Sequence, residues 1–176
     1  GASGGVGTGA LLLAKMAGAE VVVCASSESK MAKLKSLGAD HAMTYMDNEF
    51  HKGVYGLYGK PGRRGFEGGV TMAVNFTGGD TWVPSLRSLK RGGRLLTCGA
   101  TAGFDPKTDI RFIWTFELKL LGSNSWERDD LEHLMQYISD GKMAPVIDKR
   151  LPLTETKEGI RLLEEREVFG KVVINP

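Results

Sequence analysis

The sequence predicts an α/β fold built on a doubly wound parallel sheet, and three observations carry that prediction. A glycine-rich turn, Gly1-Ala2-Ser3-Gly4-Gly5-Val6-Gly7, opens directly into a segment with apolar residues at helical spacing. Short β-branched runs such as Glu20 to Ala25 show no polar alternation, which is how a parallel strand covered on both faces reads. Strand-like and helix-like segments then alternate to the end of the chain, the pattern of successive βαβ units.

The first helix is expected over 5–17, with Val6, Ala10, Leu13, Ala14 and Ala17 along it and Gly18 as its stop. A strand over 20–25 follows. A second helix starts at Ser27, carries Met31, Leu34 and Leu37 on its inner face, and ends at Gly38-Ala39-Asp40. His41 to Tyr45 reads as a strand, and Asp47 to His51 as a polar turn. Residues 52–69 are rich in glycine, lysine and arginine and read as a loop with weak helical character at most. Next come a strand over 70–75, the turn Thr77-Gly78-Gly79, and a helix capped by Asp80 that carries Val83, Leu86 and Leu89. Gly92-Gly93 launches a strand over 94–98, a short helix lies near 110–116, and 118–122 is a further strand. Asp129 and Glu132 read as a capping box for a helix bearing Leu131, Leu134, Met135 and Ile138. Strand 146–151, helix 154–165 and strand 171–174 close the sequence.

Composition narrows the class of partner. The 176 residues are 41% hydrophobic and 25% charged, enough for one respectable core. The net charge is +2, with both signs interleaved along the chain, so a nucleic-acid partner is not expected. No apolar run approaches the roughly 20 residues that span a bilayer, so no membrane partner is expected either. Cys24 and Cys98 lack CxxC spacing, which argues against a disulfide framework or zinc cluster and fits a cytoplasmic setting. Cys98 reads as core packing. His41, His51 and His133 are scattered, with no zinc-spaced constellation. Asp47, Glu49 and His51 cluster in sequence but read as a solvated turn rather than an acid–base group.

A glycine turn that opens a helix lets backbone approach a pyrophosphate closely, and unpaired N–H groups with the helix dipole favour its charge. Ala2, Gly4 and Gly7 occupy the three positions of the Gly-x-Gly-x-x-Gly fingerprint, with alanine in place of the first glycine. The following helix and strand supply the spacing of a mononucleotide-binding half, which makes this a dinucleotide site. Which dinucleotide is decided at the end of that strand, where an NAD site places a carboxylate on the ribose 2′-hydroxyl. Here the strand ends Cys24-Ala25-Ser26-Ser27 without an acid, and Glu28 already belongs to the next helix. Ser26 and Ser27 offer hydroxyl donors, Lys30 lies one turn on, and Tyr45 ends the following strand. Hydroxyls and a cation suit a phosphate dianion that an acid would repel, so NADP(H) is the expected cofactor. The turn also fits the Gly-x-x-x-Gly-x-Gly pattern of short-chain dehydrogenases. None of Tyr45, Tyr55, Tyr58 and Tyr137 has the lysine four residues on that such enzymes need.

Taken together, ASGGVG at 2–7, SSESK at 26–30, LGADH and MTY within 37–45, NFTGGDTW at 75–82, SLRSLKRGGRLLTCGATAG at 85–103, LKLLGSN at 118–124 and FGKVVINP at 169–176 resemble the cofactor domain of the medium-chain dehydrogenase/reductases. The NADPH-dependent quinone oxidoreductases and zinc-type alcohol dehydrogenases are the nearest in kind. The resemblance implies a Rossmann sheet in which Gly4, Gly5 and Val6 meet the pyrophosphate. It implies that Ser26, Ser27, Lys30 and Tyr45 hold the 2′-phosphate. Phe76, Thr77, Gly99, Ala100 and Thr101 then line the nicotinamide half, and Gly122, Ser123 and Asn124 meet the carboxamide. It also implies a homodimer through the edge strand 118–122, whose apolar run would be hazardous uncovered.

A hydride transfer needs a cofactor half and a group that polarises or protonates the substrate. Only the first is legible. The family carries its catalytic groups, and zinc where present, in an N-terminal barrel-like domain, so the expected fold lacks that domain and the first, central strand feeding Gly1. The expected division is a dinucleotide-binding domain over 1–145, incomplete at its N-terminus, and a strand-helix-strand over 146–176 returning toward the absent domain. The expected function is an NADPH-dependent oxidoreductase acting on a carbonyl, alcohol, quinone or enone, a small-molecule substrate. The alternative is an NADPH-binding or interaction protein without turnover.

Overall fold

The computed structural model describes residues 1–176. In chain order the elements are α1 (Gly5–Met16), β1 (Val22–Ala25), α2 (Glu28–Ser36), β2 (His41–Thr44), α3 (Phe50–Tyr58), β3 (Val70–Val74), α4 (Trp82–Ser88), β4 (Leu89–Thr97), α5 (Ile110–Thr115), β5 (Lys119–Gly122), α6 (Arg128–Ser139), β6 (Ile147–Pro152), α7 (Thr156–Glu164) and β7 (Lys171–Asn175). They form two compact units, one of Gly1–Ala42 with Trp126–Pro176 and one of Met43–Ser125. Residues 146–176 therefore pack in the unit that holds the glycine turn. The strands form three small sheets, β1-β2, β3-β4-β5 and β6-β7. The β3–β4, β4–β5 and β6–β7 pairs are all parallel and are flanked by helices, the Rossmann-like arrangement that the alternation predicts.

In the first unit the core gathers Leu11 from α1, Val23 and Ala25 from β1, Leu34 from α2, Ala39, and Phe169 from the C-terminal segment. Ser27, where the helix was expected to start, caps α2, its Oγ accepting the Lys30 N–H at 3.3 Å. α7 crosses from β6 to the parallel β7. Gly159 lets it lie close, since a β-carbon there would stand 3.3 Å from Ile174 and 3.4 Å from Val172.

In the second unit Leu86, Leu89, Leu95, Phe116 and Leu118 form the core, with Phe112 stacked on Phe116 at 4.4 Å. Asn75, buried just past β3, organises the following turn. Its Oδ1 accepts from Thr77 and Gly78 N–H at 2.9 Å each, and its Nδ2 donates to the Thr81 carbonyl and to Ser85 Oγ.

Several expectations are corrected here. Residues 50–58 are helical, not a polar turn and loop. α3 buries His51 and Val54, and Tyr55 donates to the Arg87 carbonyl at 2.9 Å, so docking against α4 overrides the helix cost of Gly53 and Gly56. Asp80 is not a cap; it lies in a single 3-10 turn, and Asn75 does the work of turning the chain. β4 begins at Leu89 and runs through Gly92-Gly93 rather than starting after it. The capping box of α6 is Glu127 with Asp130, two residues earlier than predicted, and no residue of α6 is buried. Cys98 is exposed, because β4 ends one residue before it.

Leu95 is fully buried at the centre of the three-stranded sheet, so Leu95→Ala should cost about 2–5 kcal/mol, read as a lower urea midpoint at unchanged m-value. His51 supplies a second test. Burial pushes its imidazole below the ordinary 6.5, and the Arg87 charge acts in the same direction. The unfolded chain therefore binds a proton that the folded chain refuses. Stability should fall as the pH drops below about 6.5 and be flat in this group above it. His51→Gln should flatten that part of the thermal-midpoint profile.

Candidate functional site

The glycine turn ends in α1, whose N-terminus has no side-chain cap and no acidic residue in its first turn. The N–H groups of Gly5, Val6 and Gly7 thus lack intrahelical partners at the positive end of the helix dipole, a ready anion site. The two fingerprint glycines differ in what demands them. A β-carbon at Gly7 would stand 2.5 Å from the Cα and carbonyl oxygen of Ala2, so the turn itself requires glycine there. Gly4 has an extended backbone (φ −84°, ψ 176°), and a β-carbon would meet only the Gly1 carbonyl at 3.6 Å. Nothing in the protein excludes a side chain at Gly4, so the space there is open to a ligand.

Ala2 N–H donates to the Cys24 carbonyl at 3.1 Å, which sets the turn beside the end of β1. Ser26, Ser27 and Lys30 follow at once, so the structure brings the two halves of the expected phosphate site into one unit. Ser27 is partly committed elsewhere: its Oγ caps α2 and lies 3.1 Å from Ser29 Oγ. The Lys30 ammonium donates to the Arg166 carbonyl at 2.6 Å. The C-terminal segment also reaches the turn itself, where Gly170 N–H donates to the Ser3 carbonyl at 2.8 Å. A β-carbon at Gly5 would overlap the Lys171 side chain, with Nζ 2.9 Å away. Lys171 is thus a cation at the mouth of α1 that the sequence reading did not single out. The motif FGKVVINP carried it, but spacing alone tied it to no site.

In the second unit the expected nicotinamide residues converge. Ala102 N–H donates to the Thr77 carbonyl at 2.7 Å, and a β-carbon at Gly99 would stand 3.1 Å from the Phe76 carbonyl oxygen. Ser123 N–H donates to the Thr97 carbonyl at 2.9 Å, so Ser123 and Asn124 continue from Gly122, the last residue of β5, which pairs with Thr97 at the end of β4. Gly99, Ala100 and Gly78 line an open pocket of about 350 Å³ with Trp82 and Phe104, and Asp105 is its one ionisable lining residue. Thr101 is exposed in the same loop, and Tyr45 is half-buried just after β2. Asp47, Glu49 and His51 do not converge: Asp47 turns back on the Glu49 N–H, Glu49 pairs with Lys52, and His51 is buried in α3. No three His, Cys, Asp or Glu side chains group closely enough to hold a metal ion, so these residues do not fit zinc.

Parallel strands flanked by helices, with an uncapped glycine turn, define a Rossmann-like α/β protein, and its relatives place it in the medium-chain dehydrogenase/reductase superfamily. Within it the chain belongs to the family described as zinc-binding dehydrogenase, whose profile matches residues 5–140. It is 31% identical to an acryloyl-coenzyme A reductase of Sulfurisphaera tokodaii, over all of this chain and 49% of that protein. It is 28% identical to a crotonyl-CoA reductase of Streptomyces avermitilis, over 98% of this chain and 41% of that one. A solved NAD-dependent alcohol dehydrogenase matches at a TM-score of 0.88 and 34% identity, covering 99% of this chain and 49% of its own. The chain spans about half the length of these relatives or less.

The two glycines separate fold from binding. Gly7→Ala should lower the thermal midpoint by several degrees, because the Ala2 backbone must move, whereas Gly4→Ala should leave it within about a degree. A fall of similar size in both variants would refute the assignment of the Gly4 space to a ligand.

Proposed function

We propose that this chain is the cofactor-binding part of an NADPH-dependent oxidoreductase. The observation that carries the reading is the uncapped turn at α1 set against a β1 end that offers Ser26, Ser27 and Lys30 and no acid. The fold does not make the choice, since an NAD-dependent relative shares it; the side chains after β1 do. Gly4, Gly5 and Val6 bind the pyrophosphate through backbone N–H groups, and Lys171 adds a cation. Ser26 and Lys30 hold the 2′-phosphate. Phe76, Thr77, Gly99, Ala100 and Thr101 orient the nicotinamide half, and Gly122, Ser123 and Asn124 take the carboxamide. When bound, the cofactor supplies the hydride; this chain's residues bind and orient it.

The substrate is a carbonyl, alcohol, quinone or enone. The names of the curated relatives, acryloyl- and crotonyl-CoA reductases, put alkenes conjugated to a carbonyl first. The polarising group, and zinc where used, then belong to a part of the protein outside these residues, to which 146–176 return. β5 pairs only with β4 and is exposed along its length, so we assign it the homodimer contact in a cytoplasmic enzyme. The competing reading, an NADPH-binding protein without turnover, draws on the failure of Asp47, Glu49 and His51 to form an acid–base group. Substrate-dependent NADPH oxidation separates the two.

Fluorescence titration with NADPH and NADH tests the cofactor assignment. Lys30→Glu should weaken NADPH by at least about tenfold more than NADH, since it replaces a charge-assisted hydrogen bond by repulsion. Lys171→Met should weaken both alike, because the pyrophosphate is common to them. Tighter binding of NADH than NADPH by the unmodified protein would overturn the 2′-phosphate site.

A further inference from the structure

We propose that Arg166 is a positioning residue for cofactor choice: its backbone carbonyl holds the Lys30 ammonium where the 2′-phosphate meets it. The inference rests on the NADPH reading above and adds the part that sets its selectivity. Lys30 is fixed at both ends. Its N–H is bound by the Ser27 cap, and its ammonium donates at 2.6 Å to a carbonyl 136 positions away. A lysine side chain loses much rotamer freedom when it closes on a ligand, and a tether that orders it beforehand removes that cost from binding.

The chemistry of the tether matters. A carbonyl occupies one of the three ammonium protons and leaves two for phosphate, and it carries no net charge that would neutralise the cation. The neighbours of Arg166 are both acids, Glu165 and Glu167. Each is paired to Arg161, which also holds Glu158 at 2.7 Å, so both carboxylates beside the tether are held by a guanidinium other than that of Arg166.

Arg166 presents its carbonyl through an unusual backbone. It lies at φ +58°, left-handed for a residue with a side chain. Arg166 N–H donates to the Leu163 carbonyl at 3.1 Å and Glu167 N–H to Leu162 at 3.0 Å, the two bonds of a Schellman motif closing α7. Glycine is the usual residue at this position, so the backbone, not the guanidinium, is what the tether needs.

That distinction sets the experiment: the NADPH and NADH dissociation constants of the whole protein carrying Arg166→Gly, Arg166→Val or Arg166→Ala. Glycine adopts the left-handed conformation without strain and should keep the NADPH-over-NADH ratio. Valine resists it, moves the carbonyl, and should lower the ratio about tenfold, with NADH affinity unchanged. Alanine should shift it the same way by less, which keeps the test decisive if the valine variant folds poorly. In a Lys30→Met background Arg166→Val should have no further effect. An unchanged ratio in both the valine and alanine variants overturns the proposal. So does an equal loss in the glycine variant, which would assign the role to the guanidinium, or an effect that persists without Lys30. An unmodified protein that prefers NADH would instead overturn the NADPH reading, and this proposal with it.

Discussion

Where α1 begins, the backbone of Ala2 lies so close to Gly7 that a single β-carbon cannot fit between them. The part of the candidate site in the first unit is arranged around that contact. Because the turn folds tightly onto the helix, Ala2 N–H reaches the Cys24 carbonyl, and the helix N-terminus comes to lie beside the end of β1. Three unpaired N–H groups and the first residues of α2 are then neighbours in one unit. A bulkier residue at Gly7 would push the turn away from the helix and separate the donors from Ser26, Ser27 and Lys30. An anion site of this kind is mostly backbone, and backbone can approach a ligand only where no side chain intervenes.

The C-terminal residues carry more of the site than their distance in sequence suggests. Gly170 donates to Ser3, Lys171 lies over Gly5, and Arg166 accepts from Lys30. Phe169 is buried in the same core as Leu11, Val23 and Leu34, so the segment is anchored by packing and not only by hydrogen bonds. A βαβ crossing delivers it: α7 lies close over β6 and β7, and its left-handed closure at Arg166 turns the chain toward the glycine turn. The second unit repeats the principle with different parts. There Asn75 satisfies the turn after β3 from within, and the loop after β4 hydrogen-bonds across to Thr77, so the strand ends converge without a buried charge.

Legibility in the sequence followed the locality of the signal. α1, β1, α2, β2, β3, β5 and β7 fall within a few residues of where periodicity and β-branched runs put them. The start of α2 at Ser27 was readable because the signal for a helix start lies within its first turn. α3 was hidden by its glycines; its stability comes from His51 and Val54 packing in the unit, which no local pattern announces. The amphipathic pattern of α6 led to an inner face that the unit half-buries at Leu134 and Ile138 and leaves exposed at Leu131 and Met135, since a pattern says that a face is apolar but not what will cover it. At the site, Gly4, Gly5, Ser26 and Lys30 were legible through a motif whose chemistry requires those residue types. The placements of Lys171 and Arg166 were not, because one reaches Gly5 with a long side chain and the other meets Lys30 through its backbone, and neither leaves a spacing to read.

By itself the sequence determined the α/β class, the glycine-rich turn that opens α1, and the absence of an acid at the end of β1. Those properties are local: they depend on residue type and on contacts within a turn or two. Only the tertiary structure decided that Lys30 ends on the carbonyl of Arg166, that Lys171 lies at the mouth of α1, and that 146–176 pack with the glycine turn rather than apart from it. Such contacts join positions more than a hundred residues apart, and they exist only once helix and strand faces have been buried against one another.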